Sequence, residues 1–359
     1  MKKKTIIIIT QLDGTATQVR SEKLREYLSR TYQVILLDSR GLLGQSGALL
    51  LGSKQTRRVF ITYCVKKLLH RLALTSYPLI EAMRLRGQLL IARLKHMKFD
   101  CLICGVEEDM MVLHQDFGKR LTIYDLPTPY AAEVKYSGRY PKSVIKRLEV
   151  IEKQTLKKAD YFCANWNTYT RYLADHYGVH NQILAPSGCE SVTGYARVNP
   201  APKIVFVGNL DGYWVNLKLL HRLSRNSPYP IEVFGPKSQC GLSGLTYRGY
   251  LSDHNRLRDY QFGLVTVSDD PLRRIGFSAK HLLYLSYGLP VLSPKWRHDR
   301  LLAPATIAYG EHNFNAVVAK YSQKEAWEKK HRAALKLAKQ LSWQKTLKPL
   351  VSLIERQLG

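Results

Sequence analysis

Hydrophobic and polar positions along this chain fall into blocks whose period switches between strand and helix. "KTIIIIT" is an unbroken apolar run of strand length, the pattern of a strand buried on both faces of a parallel sheet. "TATQVRSEKLREYLSR" follows, with Val19, Leu24 and Leu28 on one helical stripe and Arg20, Lys23 and Arg25 largely off it. "YQVILLDS" is the next apolar run, so strand, helix and strand compose a right-handed βαβ unit. "FDCLICGV", "RLTIYDL" and, after the helix "SVIKRLEVIEKQTLKK", "ADYFCANW" extend the sheet. The pattern predicts a doubly wound α/β domain over residues 1–187.

"APSGCESVTGYARVNPAP" has Pro, Gly and Ser without periodicity, which predicts an interdomain linker over 188–202. A second α/β domain over 203–340 opens with the strand "KIVFVGN" and the helix "NLKLLHRLSRNS". It continues through "YPIEVFGP", "LTYRGYLS", "DHNRLRDY" and "FGLVTVSDD" to "GFSAKHLLYLSYGLPVLSP". A last helix over 341–359 has apolar Leu347, Leu350, Val351 and Ile354, and Pro349 predicts that it starts or kinks there.

Length and composition fit this picture, since 359 residues suffice for two domains with separate cores. The opening "MKKKTIIIIT" imitates a signal peptide, but polar "TQLDGT" follows where a cleavage site is wanted. No segment reaches the length of an uncharged transmembrane span. Cys101 and Cys104 form a C-x-x-C inside a predicted strand, where they point to opposite faces, and no second ligand pair is present. Buried free thiols, with no metal and no cofactor, are expected. Charge changes the picture most: 55 basic against 28 acidic residues leaves +27, which calls for a polyanionic partner.

The chemistry concentrates in "GFSAKHLLYLSYGLPVLSP". Ser278 reads as a helix N-cap, Gly288 as the residue past its end and Pro290 as the start of the next strand. Lys280 then sits in the first turn, where a cation opposes the helix macrodipole. It makes sense with an anion over the helix start, where free N–H groups point. Arg273 and Arg274 precede the helix and can add positive charge toward a diphosphate without a metal. In the first domain, Gly14 follows the first strand, where backbone can approach a ligand closely. Asp125, Asp13 and Glu133 lie at or beyond predicted strand ends and are the candidate general bases. Glu107, Glu108 and Asp109 form a further acidic cluster, a candidate acceptor contact.

The order of "DGTATQVRSEKLREYL", "TIYDLPTPY", "VFVGNLDGYWVNLKLL", "VSDDPLRRIGFSAKHLLYLSYGLPVLSP" and "LSWQKTL" resembles the GT-B glycosyltransferases. The likeness is to the large family-4-like group of bacterial lipid and polysaccharide glycosyltransferases. That resemblance implies two Rossmann-like doubly wound domains facing a cleft, with the last helix crossing back to the first. It also implies a nucleotide-sugar donor, a UDP-sugar foremost, held mainly by the second domain through Asn209, Arg273, Arg274, Ser278, Lys280 and Tyr284. Many relatives carry a ribose-gripping glutamate three residues after the lysine, and another eight residues before that one. Leu283 and Ile275 stand at those places, so donor recognition is altered, through Tyr284, Ser278, Asp269 or Asp270, or else nucleotide binding is lost.

Residues 54–98 carry eleven Lys or Arg against one acid, Glu81, interleaved with apolar residues and interrupted by Pro78. They read as one or two basic amphipathic helices suited to an anionic membrane surface, with Arg84, Arg86, Arg93 and Lys95 as contacts. A cytoplasmic, peripheral glycosyltransferase acting on a lipid-linked saccharide acceptor in envelope-glycan or exopolysaccharide assembly is the expectation. A non-catalytic GT-B homologue that binds glycan or a partner enzyme is the alternative. No zinc-finger, basic-zipper or RNP-like motif supports nucleic acid as the partner.

Overall fold

The computed structural model describes residues 3–11, 16–39, 54–72, 78–126, 128–199, 201–236, 245–276, 278–297 and 299–359, without the side chains of 16, 17, 54–57 and 126. The chain divides into two compact units: Met1–Pro186 with Leu347–Gly359, and Ser187–Thr346.

The first unit begins with β1 (Thr5–Thr10), α1 (Ala16–Leu28) and β2 (Gln33–Asp38). It continues through α2 (Lys54–Arg71), α3 (Leu79–Leu94), β3 (Cys101–Cys104), β4 (Leu121–Leu126) and α4 (Tyr130–Tyr136). Then come α5 (Lys142–Lys158), β5 (Tyr161–Ala164), α6 (Asn167–Tyr177) and β6 (Gln182–Leu184). The six strands are parallel in the order β2-β1-β3-β4-β5-β6. Ile6, Ile7, Ile8 and Ile9 of β1 are all 0% exposed, which is why this strand reads as an unbroken apolar run. Each contributes roughly 1.5–3 kcal/mol by leaving water. The order reverses between β1 and β3, so ligands are expected beyond the carboxyl ends of those strands.

The second unit holds β7 (Ile204–Val207), α7 (Leu217–Asn226), β8 (Ile231–Phe234), β9 (Thr246–Tyr247) and β10 (Phe262–Leu264). The short α8 (Pro271–Ile275) and α9 (Ala279–Ser286) lead to β11 (Val291–Pro294) and β12 (Thr306–Tyr309). Helices α10 (Phe314–Ser322) and α11 (Lys324–Gln340) follow, and α12 (Trp343–Leu358) closes the chain, its residues from Leu347 onward belonging to the first unit. The sheet is again parallel, in the order β12-β11-β10-β7-β8-β9, and reverses between β7 and β10. Gly288, at φ +71°, ends α9 in the left-handed conformation that a glycine adopts without strain.

Two expectations change here. The segment anticipated as a linker belongs to the second unit from Ser187 onward. Cys189 is buried and bridges to Ser342, and the Ala196 N–H donates to the Tyr287 carbonyl at 2.9 Å. Helix α12 runs through Pro349 instead of starting there. Within the first unit its Leu347, Leu350 and Ile354 are buried, and Gln357 Nε2 donates to the Tyr161 hydroxyl at 3.2 Å.

Candidate functional site

Three loops of the second unit meet where its strand order reverses. The loop after β7 supplies Gly208, the segment after β10 supplies Arg273 on α8 and Lys280 on α9, and the turn after β11 supplies Arg297. Lys280 passes its stem over Phe206, with Nζ 5.2 Å from the ring centroid. Gly208 makes room for it: at φ +149°, a Cβ there would lie 2.5 Å from Lys280 Cε. Among the described residues the Lys280 amine makes no hydrogen bond or ion pair. Its pKa falls from 10.5 to about 8, through burial first and then repulsion by Arg297 and Arg273. A cation kept beside two others is an anion site in waiting.

The neighbours hold this arrangement in place. Arg273 donates to the Tyr213 hydroxyl at 3.2 Å and lies 5.4 Å from the centre of that ring. Arg297 is buried, donates to the Gly276 carbonyl at 3.0 Å and approaches His281 Nδ1 at 3.3 Å. Burial and Arg297 push the His281 pKa well below its ordinary value, so the neutral ring accepts from Arg297 and orients it. A cavity of about 170 Å³ opens alongside, with His281, Lys295, Arg297, Asp299 and Thr306 in its lining. Ser278 is the N-cap of α9, but its side chain makes no capping hydrogen bond.

Not every residue nominated from sequence joins this group. Arg274 turns to Asp269 in an exposed two-pronged pair at 2.7 and 3.0 Å. Tyr284 is fully buried beneath Gly263, its hydroxyl accepting from the Val207 N–H at 2.9 Å and donating to the Leu264 carbonyl at 3.2 Å. It is a core residue that ties α9 to the sheet, not a ligand contact. Asn209 is exposed and caps its own turn, accepting from the Asp211 N–H at 2.9 Å. Leu283 lies one turn beyond Lys280, partly exposed and outside the core. Arg297 and Gly208 were missed. The rule that ligands gather at the carboxyl ends of parallel strands would have pointed to both.

In the first unit, Asp13 and Gly14 lie outside the described residues. Asp125 is buried at the end of β4 and held by Arg20, with Nε to Oδ2 at 2.7 Å and Nη2 to Oδ1 at 2.8 Å. Both carboxylate oxygens serve a buried ion pair that ties α1 to the sheet. That position corrects the general-base assignment, because a base needs a free oxygen facing substrate. Glu133 is on the first turn of α4, partly buried. Across from it, Glu107 follows β3, and burial first, then Glu133, Glu108 and Glu152, push its pKa up to about 8. Glu152, fully buried, rises to about 7 mainly through burial, although the Tyr177 hydroxyl donates to it at 2.6 Å and the Tyr130 N–H at 2.7 Å.

The nominated membrane contacts also divide. Arg84, Arg93 and Lys95 are exposed. Arg86 is buried, pairing with Asp109 at 2.6 and 3.1 Å and with Glu108 at 3.3 Å, and donating to Ser39 Oγ at 3.1 Å. It clamps α3 to the following 3-10 helix Glu107–His114 and cannot face a bilayer. Among the described residues no helix is long and apolar enough to cross a membrane, and no His, Cys, Asp and Glu cluster could hold a metal ion.

No family model matches the sequence, and no curated protein matches it. Solved structures do. Sucrose-phosphate synthase from Thermosynechococcus elongatus aligns with a TM-score of 0.69 at 13% identity over 99% of both chains. The glycosyltransferase of kitacinnamycin aligns at 0.57 and 12% identity over 100% of both. The fold is GT-B. TarM of S. aureus, in a complex with fondaparinux, α-GlcNAc-glycerol and UDP, aligns at 0.56 and 12% identity. That match takes in 75% of this chain, which spans 58% of the TarM chain. Identities this low establish the GT-B architecture and leave the chemistry to the residues.

Proposed function

We propose that this protein is a glycosyltransferase that moves a sugar from a nucleotide-sugar donor, a UDP-sugar foremost, to a lipid-linked or membrane-associated saccharide. The setting is cell-envelope glycan or exopolysaccharide assembly at the cytoplasmic face of the membrane. One observation carries the reading: Lys280, Arg273 and Arg297 converge at the strand-order reversal of a GT-B second unit. A diphosphate seated there meets cations fixed before it arrives, which stabilise the charge that grows as it leaves. The uncapped start of α9 adds its dipole. The cavity beside Arg297 has Lys295, Asp299 and Thr306 in its otherwise largely apolar lining, side chains able to meet the hydroxyls of a sugar.

In the transfer the acceptor oxygen bonds to the anomeric carbon, the bond to the diphosphate breaks, and the acceptor proton passes to a carboxylate. Glu133 retains that candidacy. Glu107 does not join it: with its pKa pushed up to about 8 it already holds its proton at neutral pH, and it is suited to donate one. The test is titration with UDP, GDP and dTDP, followed by assay of donor turnover with the matching nucleotide sugars. Binding with turnover supports transfer, and no binding of any of the three sinks it. A second reading, a non-catalytic homologue that binds glycan or a partner glycosyltransferase, is favoured by Leu283, which cannot accept a ribose hydrogen bond. Glycan binding without turnover of any donor would select it.

A further inference from the structure

Helix α2 is built the wrong way round for a helix facing water. Its Tyr63 is buried, while Ile61, Val65, Leu68 and Leu72 are 61%, 53%, 58% and 60% exposed. Spacings of four, three and four place them on one narrow stripe, opposite Tyr63, rising about 16 Å along the axis. Leu72 stays on that stripe because its N–H donates to the Leu68 carbonyl at 3.0 Å. The other large exposed apolar side chains among the described residues are Val19, Val150, Leu184, Tyr195, Val198, Tyr250 and Leu301, spread along the sequence. Single exposed apolar residues need no explanation, whereas a contiguous patch marks a contact surface.

The charges around the stripe identify what covers it. Helix α2 carries Lys54, Arg57, Arg58, Lys66, Lys67 and Arg71 and no acid. Arg58 and Arg71 are exposed on its two flanks. The sole acid of residues 54–98, Glu81, is already taken by Lys66. We propose that the outer face of α2 docks on an anionic lipid bilayer, inserting the four aliphatic side chains among the acyl chains while Arg58 and Arg71 meet lipid phosphates. A helix with one apolar face and basic flanks lies in the interface in this way. A second copy fits poorly, since it would press two acid-free basic helices together. A protein partner also fits poorly, because a standard interface covers about 800 Å² a side and this stripe is one side chain wide.

This surface replaces α3 as the membrane contact, because α3 turns most of its apolar residues and Arg86 inward. The proposal rests on the reading of a membrane-bound acceptor for its purpose, but its test does not. The full-length protein should pellet with vesicles of phosphatidylglycerol and phosphatidylcholine, and weakly with phosphatidylcholine alone. V65S/L68S, at exposed positions where the fold is insensitive, should lower the partition by roughly tenfold. R58Q/R71Q should lower it and weaken its salt dependence. An environment-sensitive label on exposed Cys64, in a Cys240→Ser background, should report an apolar setting when anionic vesicles are added. UDP binding should be unchanged in both variants, so failure here is distinct from failure of the glycosyltransferase reading. Parent-level pelleting by V65S/L68S overturns the proposal. So does a dimer that V65S/L68S dissociates while vesicle binding persists.

Discussion

Replacing Lys280 by Met keeps a stem over Phe206 and removes the charge. The depression of the Lys280 pKa from 10.5 to about 8 amounts to about 3 kcal/mol against the ammonium form. A bound diphosphate supplies the missing counter-charge. If it restores the ordinary pKa, the protonated protein binds it on the order of a hundredfold tighter than the neutral one. Lys280→Met should therefore weaken nucleoside diphosphate binding by about that factor at neutral pH. The fold should not suffer, because in the free protein this charge is a liability.

The pH dependence has a definite sign. With a folded pKa of about 8 against 10.5 unfolded, the unfolded chain binds more protons between those values. Stability of the free parent protein should thus rise with pH across that window, and the rise should vanish in Lys280→Met. Ligand affinity runs the other way: it should fall as the pH passes about 8, because the free protein loses the proton that the complex keeps. Urea unfolding reads the first and calorimetric titration the second, each from neutral to alkaline pH on parent and variant. Equal affinity in the two proteins, or the same alkaline decline in both, would refute the role given to Lys280.

Arg297→Gln should weaken the same ligand by at least tenfold, whereas Arg274→Ala, at an exposed pair with Asp269, should leave affinity within a factor of about two; calorimetry of the two variants decides. Asp125→Asn should destabilise the first unit by about 3–5 kcal/mol, because Arg20 is left as a buried charge without its counterion. Urea unfolding with the parent's midpoint would show that the pair does not hold α1 to the sheet. Glu152, with a pKa raised from 4.5 to about 7, binds more protons folded than unfolded between those values, so it makes stability fall as pH rises through that range. Glu152→Gln should flatten that part of the profile in a pH series of thermal melts.

How much of this was legible depended on whether the deciding partner is near in sequence. The strands were legible because a parallel sheet buries both faces, so four isoleucines in a row can be little else. Lys280 was legible because the oddity is local, a cation in the first turn of a helix. Arg273 and Arg274 looked alike because they are adjacent. What separates them is Tyr213, about sixty residues away, and the short α8 that turns one inward. Arg84 and Arg86 differ for the same reason: two residues on a helix reverse its face, and the partner that draws Arg86 inward is Asp109. Tyr284 had the pattern of a ligand contact, yet its hydroxyl is claimed by the backbone of β7 and β10.

Helix α2 failed for a subtler reason. Its apolar residues lie on two opposite faces, one packed and one bare, so the periodicity that marks an amphipathic helix cancels. Helix α3, whose core stripe is clear, drew the membrane assignment instead. A periodicity argument identifies the face that is buried, and says nothing of a second apolar face that folding leaves uncovered. That second face can be recognised only once the first has been spent on the core. Function at a surface is therefore read from what remains after packing: among the described residues, the Lys280 amine without a hydrogen bond or ion pair, and the exposed aliphatic stripe of α2.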